Sequence, residues 1–258
     1  MDDATLQALA TGSRRLSELH CQISTSIRSI PPFSLGYPGS FTQSSYYPGD
    51  AITEEEVALA SKVLDQNSIF PENTRLRKAP NGTDYELLVA SVETGPISNS
   101  QPLSLPGRNG SVTFVYGDHS SDLERLCTEL SHAIDFTAND LQKKFLASYI
   151  GSFQTGSLET YRDSLRTWVR DKAPTVENIF GFVEPYRDPH GTRAEFEGLV
   201  AIADLEETKL LSKLVESSAK FIRRLPWATP ENDGKGPFEK NLFDPPDFSS
   251  ITCKSRHA

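Results

Sequence analysis

Three consecutive helical segments, each opened by a capping residue, stand between two groups of strand-like runs, and this grouping is the strongest constraint on the fold. Ser121 is placed to cap the first, whose apolar positions Leu123, Leu126, Cys127, Leu130 and Ile134 recur at helical spacing. Asn139 caps the second, with Leu141, Phe145, Tyr149 and Phe153 on one face and Gly156 where a left-handed residue ends a helix. Ser157 opens the third, with Leu158, Tyr161, Leu165 and Trp168 inward, and Pro174 lies beyond its end. Ahead of these, Tyr85 to Val92 and Ser111 to Tyr116 read as strands, entered from turns at Asn81-Gly82 and Asn109-Gly110. Behind them, Asn178 to Tyr186 and Glu195 to Ala203 read as two more, joined by Asp188-Pro189-His190-Gly191, whose composition is that of a turn. Strands and helices in separate groups, without strict alternation, predict an α+β fold.

The flanks divide the chain into three parts. Residues 1–50 comprise a weakly amphipathic helix over Ala4 to Ile27, followed by a Pro-, Gly- and Tyr-rich loop. With Phe33, Tyr37, Phe41, Tyr46 and Tyr47, that loop is too aromatic for a disordered linker and is expected to pack on the domain. Residues 51–226 form the core. It begins with a capping box at Thr53-Glu54-Glu55-Glu56 and ends with a long helix from Leu205 to Leu225, stopped by Pro226. Residues 227–258 read as an irregular tail.

A net charge of −9 leaves no basic stripe to displace counterions from a phosphate backbone, which argues against nucleic acid and against anionic membranes. No apolar run approaches the twenty or so residues of a membrane span, and the first residues lack a secretory signal. Three widely spaced cysteines (Cys21, Cys127 and Cys253) suit a reducing, cytoplasmic setting. No Gly-rich phosphate loop precedes a helix, and no cofactor is expected.

Residues 178–202, NIFGFVEPYRDPHGTRAEFEGLVAI, resemble the signature strand pair of the dipeptidyl peptidase III family, a G-F-[IV]-E-x-Y-R-D-P stretch leading to R-x-E-F-E-G-[FL]-V-A. Ile150 to Lys172 resembles the family's preceding helix pair, and Tyr85 to Val92 its Y-E-[VL]-x-x-A-S-V strand. Leu225-Pro226-Trp227, Phe238-Glu239-Lys240 and Pro246-Asp247-Phe248 are similar to the segment after its long helix. The resemblance, from about Tyr46 to Ser250, implies part of the lower lobe of a longer two-lobed protein, a small, mainly antiparallel β-barrel or sheet surrounded by helices. It further implies that the strand carrying Glu184 and Tyr186 receives a bound peptide as an added strand. Glu184 would then accept the peptide's free α-amino group, and Tyr186 would donate its phenolic proton toward the oxyanion at the scissile carbonyl.

The residues support that assignment in one respect. Side chains two apart on a strand share a face, so Glu184 and Tyr186 would project together as a cation acceptor beside a neutral donor. Pro185 between them has no N–H to give to an added strand. Glu184, Pro185 and Tyr186, with Tyr46 and Tyr47, are the candidate substrate-binding set. The tyrosine pair can equally line a cleft or pin the loop, and Glu184 to Asp188 can equally be a strand-end cluster of ion pairs. His190 is the best-placed histidine for acid–base work beside Glu184 and Tyr186, although a turn residue is the plainer reading.

The family's zinc chemistry is missing from the sequence. It depends on an H-E-L-L-G-H helix, whereas His20, His119, His132, His190 and His257 include no pair at the i, i+4 spacing that shares a helix face. After Ser250 the chain departs from the family pattern. These features predict a truncated relative that keeps the ligand-binding strand without a metal site and is not a zinc peptidase on its own. The alternative is a repurposed metal-independent enzyme doing acid–base chemistry, such as isomerisation or cyclisation, on a small molecule. Expected partners are a peptide or small-molecule ligand, with self-association through exposed cleft surface.

Overall fold

A computed structural model of the chain describes residues 8–23, 34–39, 42–95, 101–217, 220–221, 223–228 and 231. Phe33, Phe41 and nearly all of the tail lie outside the described residues, including the Phe238 and Pro246 motifs.

Local chemistry dictates the main helices. In α2 (Glu54–Gln66; α1 is Arg14–Ile23) the Thr53 hydroxyl accepts from the Glu56 amide while the Glu56 carboxylate accepts from the Thr53 amide, the reciprocal bonds of a capping box. α4 (Asp140–Thr155) opens with the Asn139 side chain accepting from Gln142 N and closes at Gly156, whose φ of 76° suits the left-handed C-cap. Ser157 caps α5 (Leu158–Trp168) by accepting from Thr160 N. α3 (Ser120–Ile134) departs from expectation. Its N-cap is His119, not Ser121, in a left-handed conformation at φ 56° and with no side-chain bond to the helix.

β3 (Thr74–Lys78), β4 (Tyr85–Ala90), β5 (Leu103–Ser104) and β6 (Ser111–Asp118) form one sheet in the order β3-β4-β6-β5. β4 pairs antiparallel with β3 and parallel with β6, so it is central, and its near-continuous apolar run is buried accordingly. β7 (Val176–Phe182) and β8 (Phe196–Ile202) make a separate antiparallel ribbon, and β1 (Ser34–Leu35) pairs with β2 (Thr42–Gln43). The α+β class holds, but the described strands form three separate sheets and do not close into a barrel.

Two apolar cores hold these layers. One buries Val57, Ala60, Val63 and Leu64 of α2 against Leu76, Tyr85, Leu87 and Val112 of the sheet, with Tyr46, Tyr47 and Ile52 beside them. The other joins Leu123, Cys127 and Leu130 of α3 to Phe145, Tyr149 and Phe153 of α4 and Tyr161 of α5. Each fully buried side chain of this size contributes about 1.5–3 kcal/mol. β7 docks on the second core. Phe180 meets Tyr149 edge-on, and Gly181 lies so close to the Tyr161 ring that no Cβ would fit.

Several boundaries are shorter than expected. The first strand of the ribbon ends at Phe182 instead of Tyr186, because its pairing with the returning limb becomes irregular at Val183 and Glu184 and two turns follow from Pro185. The expected N-terminal helix breaks at Gly12, and Ser13 restarts it by accepting from Leu16 N. Leu9, Leu16 and Leu19 are exposed. α6 (Leu205–Glu216) stops well before Leu225, although residues 220 and 221 are again helical.

Candidate functional site

Residues 183–195 link β7 to β8, and their backbone is fixed along its length. Val183 N donates to Glu195 O at 3.1 Å and Glu195 N to Glu184 O at 3.0 Å, so the ladder continues two residues past the strand. Pro185, lacking an N–H, then gives way to a turn closed by Asp188 N donating to Pro185 O at 3.2 Å. A second turn follows, with Gly191 N donating to Asp188 O at 2.9 Å and Gly191 at φ 73°. This is the turn that Asp188-Pro189-His190-Gly191 predicts. Ala194 N donates to Glu72 O at 2.9 Å and ties the returning limb to the body.

Asp188 organises the loop. Its carboxylate is buried and accepts from the amides of His190 at 3.1 Å, Thr192 at 3.0 Å and Arg193 at 2.9 Å, and from the Tyr47 hydroxyl at 2.6 Å. Burial alone would push this carboxyl up. The bond from Tyr47 and the three amide bonds outweigh it and hold the group below its ordinary 3.8. The same contact acts oppositely on Tyr47. Burial pushes its phenol well above 10 against the lowering field of Arg193, and donation to Asp188 adds to the rise.

Tyr46 and Tyr47 are both buried and grip opposite limbs of the loop. The Tyr46 hydroxyl donates to Glu195 Oε1 at 2.6 Å, and burial followed by that bond raises its phenol strongly. Arg187 Nε lies 3.5 Å from the same oxygen. At the tip, the Tyr37 hydroxyl and His190 Nδ1 are hydrogen-bonded at 3.2 Å, and Tyr37 stacks on Tyr47 with ring centres 5.9 Å apart. Three tyrosines from an irregular segment therefore clamp residues 188–195. Beneath them Arg193 is fully buried, its guanidinium 5.4 Å above the Tyr47 ring, and Nε and Nη2 have no hydrogen-bond partner among the described residues.

On this frame Glu184 and Tyr186 are exposed, Tyr186 at 73%, and Pro185 is half-buried between them. Among the described residues neither the Glu184 carboxylate nor the Tyr186 hydroxyl has a hydrogen-bonding or ionic partner. Both are free to meet a ligand. Tyr186 stands in the first turn, not on a regular strand, so the alternation expected to align it with Glu184 does not apply there.

Sequence reading missed two features. The first is what the tyrosines hold: pinning a loop is one of the two roles the sequence offers for Tyr46 and Tyr47, but their partners Glu195 and Asp188, and His190 for Tyr37, lie 141 to 153 residues away and leave no local signal. The second is a cavity of about 410 Å³ beside the loop, walled by Leu123, Leu126, Phe182 and Phe196 and edged by Tyr46 and Glu195. Glu184 and Tyr186 do not line it.

The family model for Peptidase family M49 matches residues 19–254. The chain belongs to peptidase family M49. Among curated M49 proteins, a "Dipeptidyl peptidase 3" of Dictyostelium discoideum is 35% identical over 237 residues, covering 92% of this chain but 32% of that relative. A human "Dipeptidyl peptidase 3" is 35% identical over 215 residues, 80% of this chain and 28% of its own length. The chain thus spans about a third of the M49 relatives it matches. The solved DPP III of Caldithrix abyssi superposes with a TM-score of 0.52 at 19% identity, covering 88% of this chain and 39% of that one, which shows a shared fold.

Proposed function

We propose that the chain is a peptide-binding M49 unit that holds a free peptide amino terminus at Glu184, with Tyr186 donating a hydrogen bond to a nearby peptide carbonyl. The observation that carries this reading is the pairing of an unpartnered exposed carboxylate and phenol with a backbone made rigid by Asp188 and the tyrosine clamp. A binding site gains affinity when its groups are held in place before the ligand arrives. The Pro185 ring denies an added strand one donor, so side chains carry more of the recognition than main chain. The net charge of −9 suits a cationic ligand such as a peptide amino terminus.

The M49 relatives raise the question of zinc. Among the described residues no three His, Cys, Asp or Glu side chains converge to hold a metal ion, so those residues do not fit a zinc centre, and the proposed binding uses none. The barrel and upper lobe implied by the family resemblance would have to come from further chain. Acid–base chemistry on a small molecule is the weaker reading, because Glu184 and Tyr186 are open to water and the nearby cavity excludes both.

The test is calorimetric titration of a short apolar peptide with its amino terminus free or acetylated. A charge-assisted bond to Glu184 predicts at least roughly tenfold weaker binding of the acetylated form, and a similar loss for Glu184→Gln with the free peptide. Equal affinity for both peptides would overturn the assignment.

A further inference from the structure

Asn-Gly occurs twice in the chain, at 81–82 in the turn between β3 and β4 and at 109–110 in the turn between β5 and β6. Both asparagines are exposed, so burial does not tell them apart. Hydrogen bonding does. The Asn81 side-chain oxygen accepts from the amides of Thr83 at 3.1 Å and Asp84 at 2.9 Å, and its side-chain nitrogen donates to the Asp84 carboxylate. Gly82 N donates to Ala79 O at 2.9 Å. In the second turn Leu105 N donates to Gly110 O at 3.0 Å, but neither the Asn109 side chain nor Gly110 N has a hydrogen-bond partner among the described residues.

That difference decides a reaction. A backbone nitrogen that gives up its proton can attack Cγ of the asparagine before it and close a five-membered ring. Glycine favours the step because it has no Cβ to obstruct the approach. The new N–Cγ bond forms as the Cγ–Nδ2 bond breaks, and Nδ2 takes up the released proton and leaves as ammonia. Water then opens the ring. Attack at Cγ gives aspartate, and attack at the main-chain carbonyl carbon gives isoaspartate, in which the backbone runs through Cβ and Cγ. Water is the one co-reactant. At Asn81 the attacking N–H is already bound to Ala79 O and the side chain is held by three bonds, so the turn must open first.

We propose that Asn109 is a self-modification site, converting to aspartate and isoaspartate through a cyclic imide with Gly110, and that the turn around Asn81 protects the other pair. Both products add a negative charge beside Arg108. The isoaspartyl form also adds a methylene to the backbone where there is little slack. A Cβ on Gly110 would collide with Thr83 O, and the next residue is anchored, with Ser111 N and Oγ bound to Asp84 Oδ1 at 2.7 and 3.0 Å. The bond from Leu105 N to Gly110 O is therefore the contact expected to yield, while β6 keeps its place in the sheet. Isoaspartate presents a free main-chain carboxylate within the chain, the group that a protein carboxyl methyltransferase recognises.

The experiment is incubation of the full chain at mildly alkaline pH, which favours loss of the amide proton, followed by digestion and mass spectrometry of the peptides holding each pair. The 109–110 peptide is expected to gain about one dalton and to accept a methyl group from an isoaspartate-specific methyltransferase. The 81–82 peptide should react at least roughly tenfold more slowly, because reaction there first breaks several hydrogen bonds. In denaturant the two should react at similar rates, since Asn-Gly-Thr and Asn-Gly-Ser are alike once the fold is gone. Asn109→Gln should remove the methyl-accepting signal of the folded protein. Comparable rates at the two pairs in the folded chain, or a 109–110 peptide that stays unmodified, would overturn the proposal. So would a difference of the same size in denaturant, which would assign it to sequence and not to the turns.

Discussion

Tyr47→Phe removes one oxygen and leaves the ring, its stacking on Tyr37 and its contact with the Arg193 guanidinium in place. What is lost is the 2.6 Å bond to the buried Asp188 carboxylate. Hydrogen bonds to charged groups are worth about 1.5–3 kcal/mol, and Asp188 keeps its three amide donors, so the expected cost is about 2 kcal/mol. For a domain of this size that is a fall of roughly 4–8 °C in Tm. Chemical denaturation at neutral pH measures the loss directly. Because the folded carboxyl is held below 3.8, the ionised Asp188 contributes stability that is fully present above that value and fades as pH falls through its folded pKa. The Tyr47→Phe penalty should therefore be full at pH 7 and shrink in acid. In a double-mutant cycle with Asp188→Asn, most of the loss should appear as coupling between the two sites. A penalty below about 0.5 kcal/mol, or additive single effects, would refute the view that this bond anchors the loop.

Other consequences are open to measurement. Tyr47→Phe should also weaken binding of the free-amino peptide, even though residue 47 is buried away from it, and unchanged calorimetric affinity would separate the clamp from the site. Gly181→Ala should cost more than about 3 kcal/mol, because the new Cβ meets the Tyr161 ring at a φ of 153° where side chains are strained; a mild effect on denaturation would mean that β7 packs elsewhere. Arg75 makes a two-pronged contact with the Asp118 carboxylate, so Arg75→Met should destabilise by about 2–3 kcal/mol, with Asp118→Asn restoring part of it in the double variant. Asn139→Ala should cost about 1 kcal/mol through loss of the α4 cap, read from the same unfolding curves.

The parts legible in the sequence are those set by neighbouring residues. Thr53 with Glu56, Asn139 with Gln142, Ser157 with Thr160 and Gly156 at its left-handed position all act within four residues, and each cap lies where its chemistry places it. The Asp188 to Gly191 turn was legible for the same reason. Ser121 misled because no local pattern marks His119 as a left-handed cap two residues earlier. β3 was illegible because Thr74-Arg75-Leu76-Arg77-Lys78 offers one buried apolar residue and takes its identity from pairing with β4. The site divides along the same line. Glu184, Pro185 and Tyr186 could be singled out from a short motif, whereas their support by Tyr37, Tyr46 and Tyr47 depends on contacts that only the folded chain creates.

Backbone amide shifts of the isotope-labelled protein, followed by NMR during titration with the free-amino peptide, test the binding site most directly. The largest changes are expected at Val183, Glu184, Tyr186 and Arg187, and they should disappear in Glu184→Gln. Changes centred on Leu123, Leu126 and Phe196 would put the peptide in the neighbouring cavity and contradict the assignment.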